Sequence, residues 1–173
     1  MRTDARGLEV TTDSPRAVEA IDHFAIELLS LGKNTSAVMA AAEADPDCAM
    51  LQAYAAAMYV YARSPAESLN ARPFLDRARS RTAELNDRER IFIDAVDAGC
   101  ECNFDLALDL YDEIVRRWPT DVVAAKLAEL HFLETGEPAR QLHFMESVAA
   151  ANTDLGNVQS MYAFALELNG HRP

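Results

Sequence analysis

Lysine is nearly missing from this chain. Of the 16 basic residues among 173, only Lys33 and Lys126 carry an ammonium group. The base composition of a gene explains that bias as simply as a demand for guanidinium contacts does. Positive charge is short altogether: 28 acidic residues leave a net −12 at neutral pH. That field repels phosphate backbones and anionic membrane surfaces, so neither nucleic acid nor membrane is an expected partner. Glycine is scarce at 6, proline at 7 and aromatic residues at 8%. With alanine abundant, this disfavours strand-and-turn architecture and favours helices packed closely through small side chains. No run approaches the roughly 20 apolar residues that span a bilayer, and Met1-Arg2-Thr3-Asp4 leads into polar residues with no hydrophobic signal core. A cytoplasmic location is expected. Three cysteines, two of them (Cys100 and Cys102) separated by one residue, do not make a disulfide framework, so reduced thiols are expected. What the chain has in quantity is apolar mass, 50% of its residues, enough for one core and one all-α domain.

Residues 1–13 are polar and weakly patterned and read as a flexible arm before a helical domain over 14–173. Ser14-Pro15 supplies an N-cap and a proline at the first helical position. A helix over 15–31 follows, with Val18, Ile21, Ala25, Leu28 and Leu29 at helical spacing and Gly32 as its stop. Shorter helices are expected over 35–44 and 47–62. Ser64-Pro65 punctuates, and a fourth helix is placed over 71–84 with Pro73 in its first turn. Asn86-Asp87-Arg88-Glu89 has the form of a capping box opening a fifth helix that runs to Cys100. Asn103 caps a sixth, with Ala107, Leu110, Tyr111, Ile114 and Trp118 as its apolar stripe and Pro119 as its end. Thr120 caps a seventh to Glu134, Pro138 starts an eighth to Ala150, and a ninth covers 155–169.

Nine helices with short links pair as four antiparallel hairpins plus one unpaired C-terminal helix. Their punctuation is periodic: Cys102, Gly136 and Gly170 fall 34 residues apart (136−102, 170−136). This is the period of the tetratricopeptide repeat, a helix–turn–helix unit that buries its apolar face only by stacking. The repeat's small position seven before each mark falls on Ala95, Glu129 and Ala163, and its second-helix pattern is met by Ala107, Tyr111 and Pro119. More of the chain resembles the N-terminal part of the tetratricopeptide repeat protein 38-like family: Thr12-Asp13-Ser14-Pro15, Asn86 through Arg90, Phe104 through Leu108, Trp118 through Asp121, and Met161 through Glu167. The resemblance implies a right-handed α-α superhelix and a binding role, since that family has no established catalytic site. Cys102 stands where the pattern has glycine.

Catalytic and metal chemistry find little to work with. Cys100-Glu101-Cys102 offers two thiols, but a structural zinc site needs four ligands and Cys48 is remote in sequence. His131 with Glu134 and His143 with Glu146 each lie one turn apart on a helix, in the reverse of the Glu-x-x-His order of di-iron bundles. No nucleophile elbow or phosphate-cradling glycine loop occurs. Neither a cofactor nor enzymatic activity is expected.

Two surfaces remain. In a solenoid the first helix of each pair lines the concave face, which by the 34-residue register gives a partner-binding groove of Glu89, Phe92, Val96, Lys126, Leu130, Asn157, Ser160 and Phe164. On the ninth helix, Val158, Met161, Tyr162, Phe164 and Leu168 form a stripe that a following helix would cover, and self-association as a homo-oligomer is expected there. The expected function is thus a non-catalytic protein or peptide interaction scaffold. The alternative is a small-molecule or lipid-binding helical domain, or an accessory subunit of an enzyme, marked by a closed pocket at the second and third hairpins.

Overall fold

Side-chain caps set the starts of four helices. In the computed structural model, which describes residues 1–62 and 67–171, the Ser14 hydroxyl accepts the Ala17 amide at 3.2 Å and Pro15 opens α1 (Pro15–Leu29). Helices α2 (Ala37–Ala44), α3 (Ala49–Ala62) and α4 (Glu67–Ser80) follow, and a 3-10 turn covers Thr82–Glu84. The expected capping box is present. Asn86 Oδ1 accepts the Glu89 amide at 3.0 Å, Glu89 Oε2 accepts the Asn86 amide at 3.3 Å, and α5 (Asp87–Cys100) begins there. Asn103 caps α6 (Phe104–Arg117), and α7 (Val122–Thr135), α8 (Pro138–Ala151) and α9 (Gly156–Leu168) complete the helices among the described residues.

Three boundaries differ from the sequence reading. The fourth helix starts earlier than expected, so Pro73 lies in its interior rather than its first turn. Its expected opening punctuation at Ser64-Pro65 lies outside the described residues. The cap of α7 is Asp121, whose carboxylate accepts the Ala124 amide at 3.0 Å, and not Thr120. Helix α1 stops at Leu29, with Leu31 rather than Gly32 taking the left-handed conformation.

Residues 1–13 are not a loose arm. They form a hairpin, β1 (Arg2–Thr3) antiparallel to β2 (Glu9–Val10), with Arg2 opposite Val10 and Thr3 opposite Glu9. The Asp4 carboxylate ties the turn by accepting the amides of Arg6 at 2.9 Å and Leu8 at 2.8 Å. Leu8 and Val10 are buried in the helical body, and two apolar side chains of this size are worth roughly 1.5–3 kcal/mol each on burial. A polar composition concealed that anchor.

The helical body repeats in space as well as in sequence. Helices α6 and α8 begin 34 residues apart (138−104), as do α7 and α9 (156−122). Their buried positions correspond: Ala107 with Gln141, Tyr111 with Met145, Ile114 with Val148, Leu127 with Met161. The three punctuation marks share one backbone conformation, left-handed, at φ 57° for Cys102, 69° for Gly136 and 79° for Gly170. Glycine occupies this region without steric cost, whereas a side chain there costs about 1–2 kcal/mol. Cys102 bears that strain where its amide and that of Asn103 return to the carbonyls of Gly99 and Ala98 at 3.1 and 2.9 Å. Cys102→Gly is therefore expected to stabilise the fold by about 1 kcal/mol. A urea midpoint unchanged or lowered would refute that.

A second recurring device closes the last two helices. Asn152 donates through Nδ2 to the Pro119 carbonyl at 2.8 Å and to its own helix at Val148. Asn169 does the same to Pro138, also at 2.8 Å, and to Ala165. Each asparagine satisfies an orphan helix carbonyl and ties its helix end to a neighbour, Asn152 to the α6–α7 link and Asn169 to the first turn of α8.

Candidate functional site

The predicted groove runs along the first helices of the pairs, and its N-terminal half is filled. Phe24 of α1 stacks on Tyr54 of α3 at 4.9 Å between ring centroids, and Tyr54 meets Phe92 of α5 edge-on at 5.2 Å. Phe92 meets Tyr111 of α6 at 6.0 Å, Tyr111 stacks on His131 of α7 at 6.0 Å, and Phe104 covers His131 at 5.1 Å. Helix α1 also reaches α7 directly, about a hundred residues along the chain. Ala17, Ile21, Phe24 and Leu28, its core-facing stripe, are all buried.

Glu89, Phe92 and Val96 are consequently interior residues and not a binding face. The 34-residue register assigns them to a concave face, but they are enclosed in the core that the chain's own first helix helps to form. The small position at Ala95 is buried as the repeat requires, Glu129 is buried in an ion pair with Lys126, and Ala163 is exposed.

The N-terminal ends of α5 and α7 carry a buried polar cluster that the hairpin completes. Glu89 Oε1 accepts the Thr11 amide at 2.7 Å. The Arg88 guanidinium, buried, donates to the Asp121 carboxylate at 2.9 Å and to the Glu9 carbonyl at 2.9 Å, and Asn86 donates to the same carbonyl at 3.3 Å. Burial alone would lower the Arg88 pKa, but the adjoining Asp121 carboxylate reverses this and holds the guanidinium above its ordinary value. Burial pushes the Tyr54 hydroxyl well up. Burial likewise raises Asp4, against the opposing pull of its two backbone donors and Arg88. Because the folded Asp4 value lies above the unfolded one, its charge opposes folding at neutral pH, and that opposition eases as pH falls through the folded value. The arrangement is a charge-compensated clip at the positive ends of two helix dipoles. Sequence reasoning missed the clip, since Arg88 and Asp121 are 33 residues apart and each looks like a helix-end surface charge.

The C-terminal half of the predicted groove is different. Leu130 is half-buried, and Asn157, Ser160 and Phe164 are exposed. The expected self-association stripe splits in two. Val158 and Met161 are buried within the chain, Tyr162 is half-buried, and Phe164 and Leu168 are 38% and 44% exposed. Val158, Met161 and Ala165 follow one face of α9 that rests on α8, Phe164 lies round the helix from it, and Leu168 falls near that face but at the last residue of the helix.

Cys48 and Cys100 are buried and Cys102 is exposed, and burial pushes the Cys48 thiol up to about 11. His131 is held between two rings, whereas His143 is exposed, 3.5 Å from Glu146. Among the described residues no three His, Cys, Asp or Glu side chains are grouped to hold a metal. The arginines of α4 are engaged, Arg72 with Asp97 at 2.8 Å, Arg77 with Glu43 at 2.8 Å and Arg79 with Asp94 at 3.0 Å. A surface cleft of about 400 Å³ beside Asp13, Asp45, Asp47, Arg81 and Glu84 has mainly charged walls, unlike the apolar lining that suits a small molecule or lipid. Between the second and third hairpins, where the alternative reading needs a closed pocket, Tyr54 of α3 and Phe92 of α5 meet edge-on at 5.2 Å. No described helix is long and apolar enough to cross a membrane.

No family model matches the chain, and no solved structure matches it significantly.

Proposed function

We propose that this chain is a tetratricopeptide-like module, wound as a right-handed superhelix and related to the protein 38-like family. In this reading it is a non-catalytic, cofactor-free cytoplasmic scaffold for a protein or peptide partner and associates with itself through its C-terminal helices. Binding uses the face on α7 and α9 that carries Lys126, Leu130, Asn157, Ser160 and Phe164, because the equivalent face of the earlier pairs is filled by α1.

The observation that supports this reading is the unequal burial of two helices in the same register. Helix α7 buries nine residues, and α9, one repeat later, buries three, Val158, Met161 and Ala165. Capping helices of repeat arrays present a polar outer face, but α9 presents Phe164 and Leu168. Phe164 and Leu168 keep 38% and 44% of their surface in water, so covering the remainder of both is worth roughly 1–2 kcal/mol, about tenfold in an association constant.

Light scattering on the intact chain at tens of micromolar tests the proposal. A dimer is expected for the wild type and a monomer for the double variant Phe164→Glu/Leu168→Glu, with helix content unchanged in both. A monomeric wild type, or a dimer indifferent to the double substitution, would sink the α9 interface.

A further inference from the structure

Residues 1–29 are attached to the body by contacts with residues far along the chain. Arg6 donates to Asp154 at 2.7 Å and to Asn152 at 2.6 Å, both at the α8–α9 link. The Glu9 carbonyl and the Thr11 amide are held by Arg88, Asn86 and Glu89 of the α5 end. Helix α1 packs against α2, α3 and α7, with Phe24 on Tyr54. All of these body residues follow position 36, and the connection to them is the link 30–36 alone.

That link contains a strained turn. Leu31 has φ 52° and is 66% exposed, so a branched apolar side chain occupies the left-handed region in water, with Gly32 next to it. The Gly32 amide returns to the Glu27 carbonyl at 2.7 Å, and the chain then reverses into α2.

We infer that residues 1–29 are an exchangeable unit: the cradle of α2, α3, α5 and α7 in one copy accepts the hairpin and α1 of a second copy, giving a reciprocally swapped dimer. Apart from the Gly32–Glu27 bond of the turn itself, every contact named above joins residues 1–29 to residues beyond 36, so each forms across two copies with its geometry intact. Only the link differs between the closed and exchanged forms. The closed form requires a leucine in the left-handed conformation and an extended link does not, which favours exchange by roughly tenfold. Against this, a seven-residue tether presents the segment to its own cradle at millimolar effective concentration, so an isolated native copy stays closed. Exchange prevails when the link cannot turn, or when many chains fold together. The surface involved is the N-terminal cradle and is independent of α9.

Leu31→Pro tests the hinge, because proline holds φ near about −65° and drives Ser30 toward extended backbone. Refolded at hundreds of micromolar, this variant is expected to form a long-lived dimer of native helix content. Two differently labelled batches refolded together should show energy transfer that persists on dilution. Leu31→Gly should lower the dimer fraction about tenfold relative to wild type by removing the strain. Adding Phe164→Glu and Leu168→Glu should leave the Leu31→Pro dimer intact, which separates it from any α9 interface. A folded, monomeric Leu31→Pro variant overturns the proposal, as does a dimer that the α9 substitutions disperse. If Leu31→Pro does not refold, the Phe164→Glu/Leu168→Glu variant refolded at the same concentration decides: a persistent labelled dimer supports exchange and its absence refutes it.

Discussion

Arg88→Ala is expected to cost the fold about 3–5 kcal/mol, a large fraction of the roughly 5–15 kcal/mol that stabilises a domain. The guanidinium is buried, and its loss strands two groups at once, the Asp121 carboxylate and the Glu9 carbonyl. An unpaired buried charge carries its full desolvation cost, whereas the intact pair contributes little net stability. Asp121 is doubly committed, because it also caps α7 through the Ala124 amide. Asp121→Ser keeps a capping oxygen while removing the charge, so the double variant Arg88→Met/Asp121→Ser should lie well above the sum of the two single losses. Urea unfolding of the four proteins in the cycle measures this. Arg88→Ala within about 1 kcal/mol of wild type would mean that water reaches the pair and that the hairpin does not cover it.

Phe92→Ala should be comparably damaging, at about 3–5 kcal/mol. The ring is fully enclosed between Tyr54 and Tyr111, meeting both edge-on at 5.2 and 6.0 Å. Its removal opens a cavity in the middle of the aromatic run that links α1 to α7, and each lost ring contact adds to the transfer cost. This prediction separates two roles for one residue. As a groove residue, Phe92 would tolerate alanine with little change in stability and lose only binding, but as the centre of the core it would lose stability first. Phe164→Ala, at the corresponding end of the predicted groove, is exposed and should change stability by under about 1 kcal/mol. Thermal melts of the two variants side by side decide the matter, and equal small effects would return Phe92 to the surface.

Local signals account for the parts of the fold that were legible. The capping box at Asn86–Glu89 and the stop at Gly136 depend on residues within one turn of each other, so the chain advertises them directly. The 34-residue recurrence was legible too, since stacked units share side-chain requirements at equivalent positions. It marked Cys102, where no glycine stands, and that residue takes the same left-handed conformation as the two glycines. Pro73 was misplaced because its local cost is fixed by sequence, but whether a helix tolerates it depends on what packs around α4.

The candidate site fared less evenly for the same reason. The register assigns Glu89, Phe92 and Val96 to the inner side of the stack, and all three are buried. Whether that side is open depends on a segment 60 or more residues earlier, and helical periodicity carries no information about it. Val158 and Met161 were grouped with Phe164 and Leu168 because all are apolar. Only the packing of α9 on α8 divides them into buried and exposed residues.

By itself, then, the sequence determined the helices, their order and their 34-residue period, because caps, spacing and small residues act over one or two turns. Tertiary structure alone decided that the hairpin and α1 occupy the inner face, that Arg88 and Asp121 meet beneath the hairpin, and that α9 keeps two large apolar side chains in water. These outcomes depend on contacts between residues distant in the chain, whose energies come from mutual burial and charge compensation and leave no periodic trace in either partner.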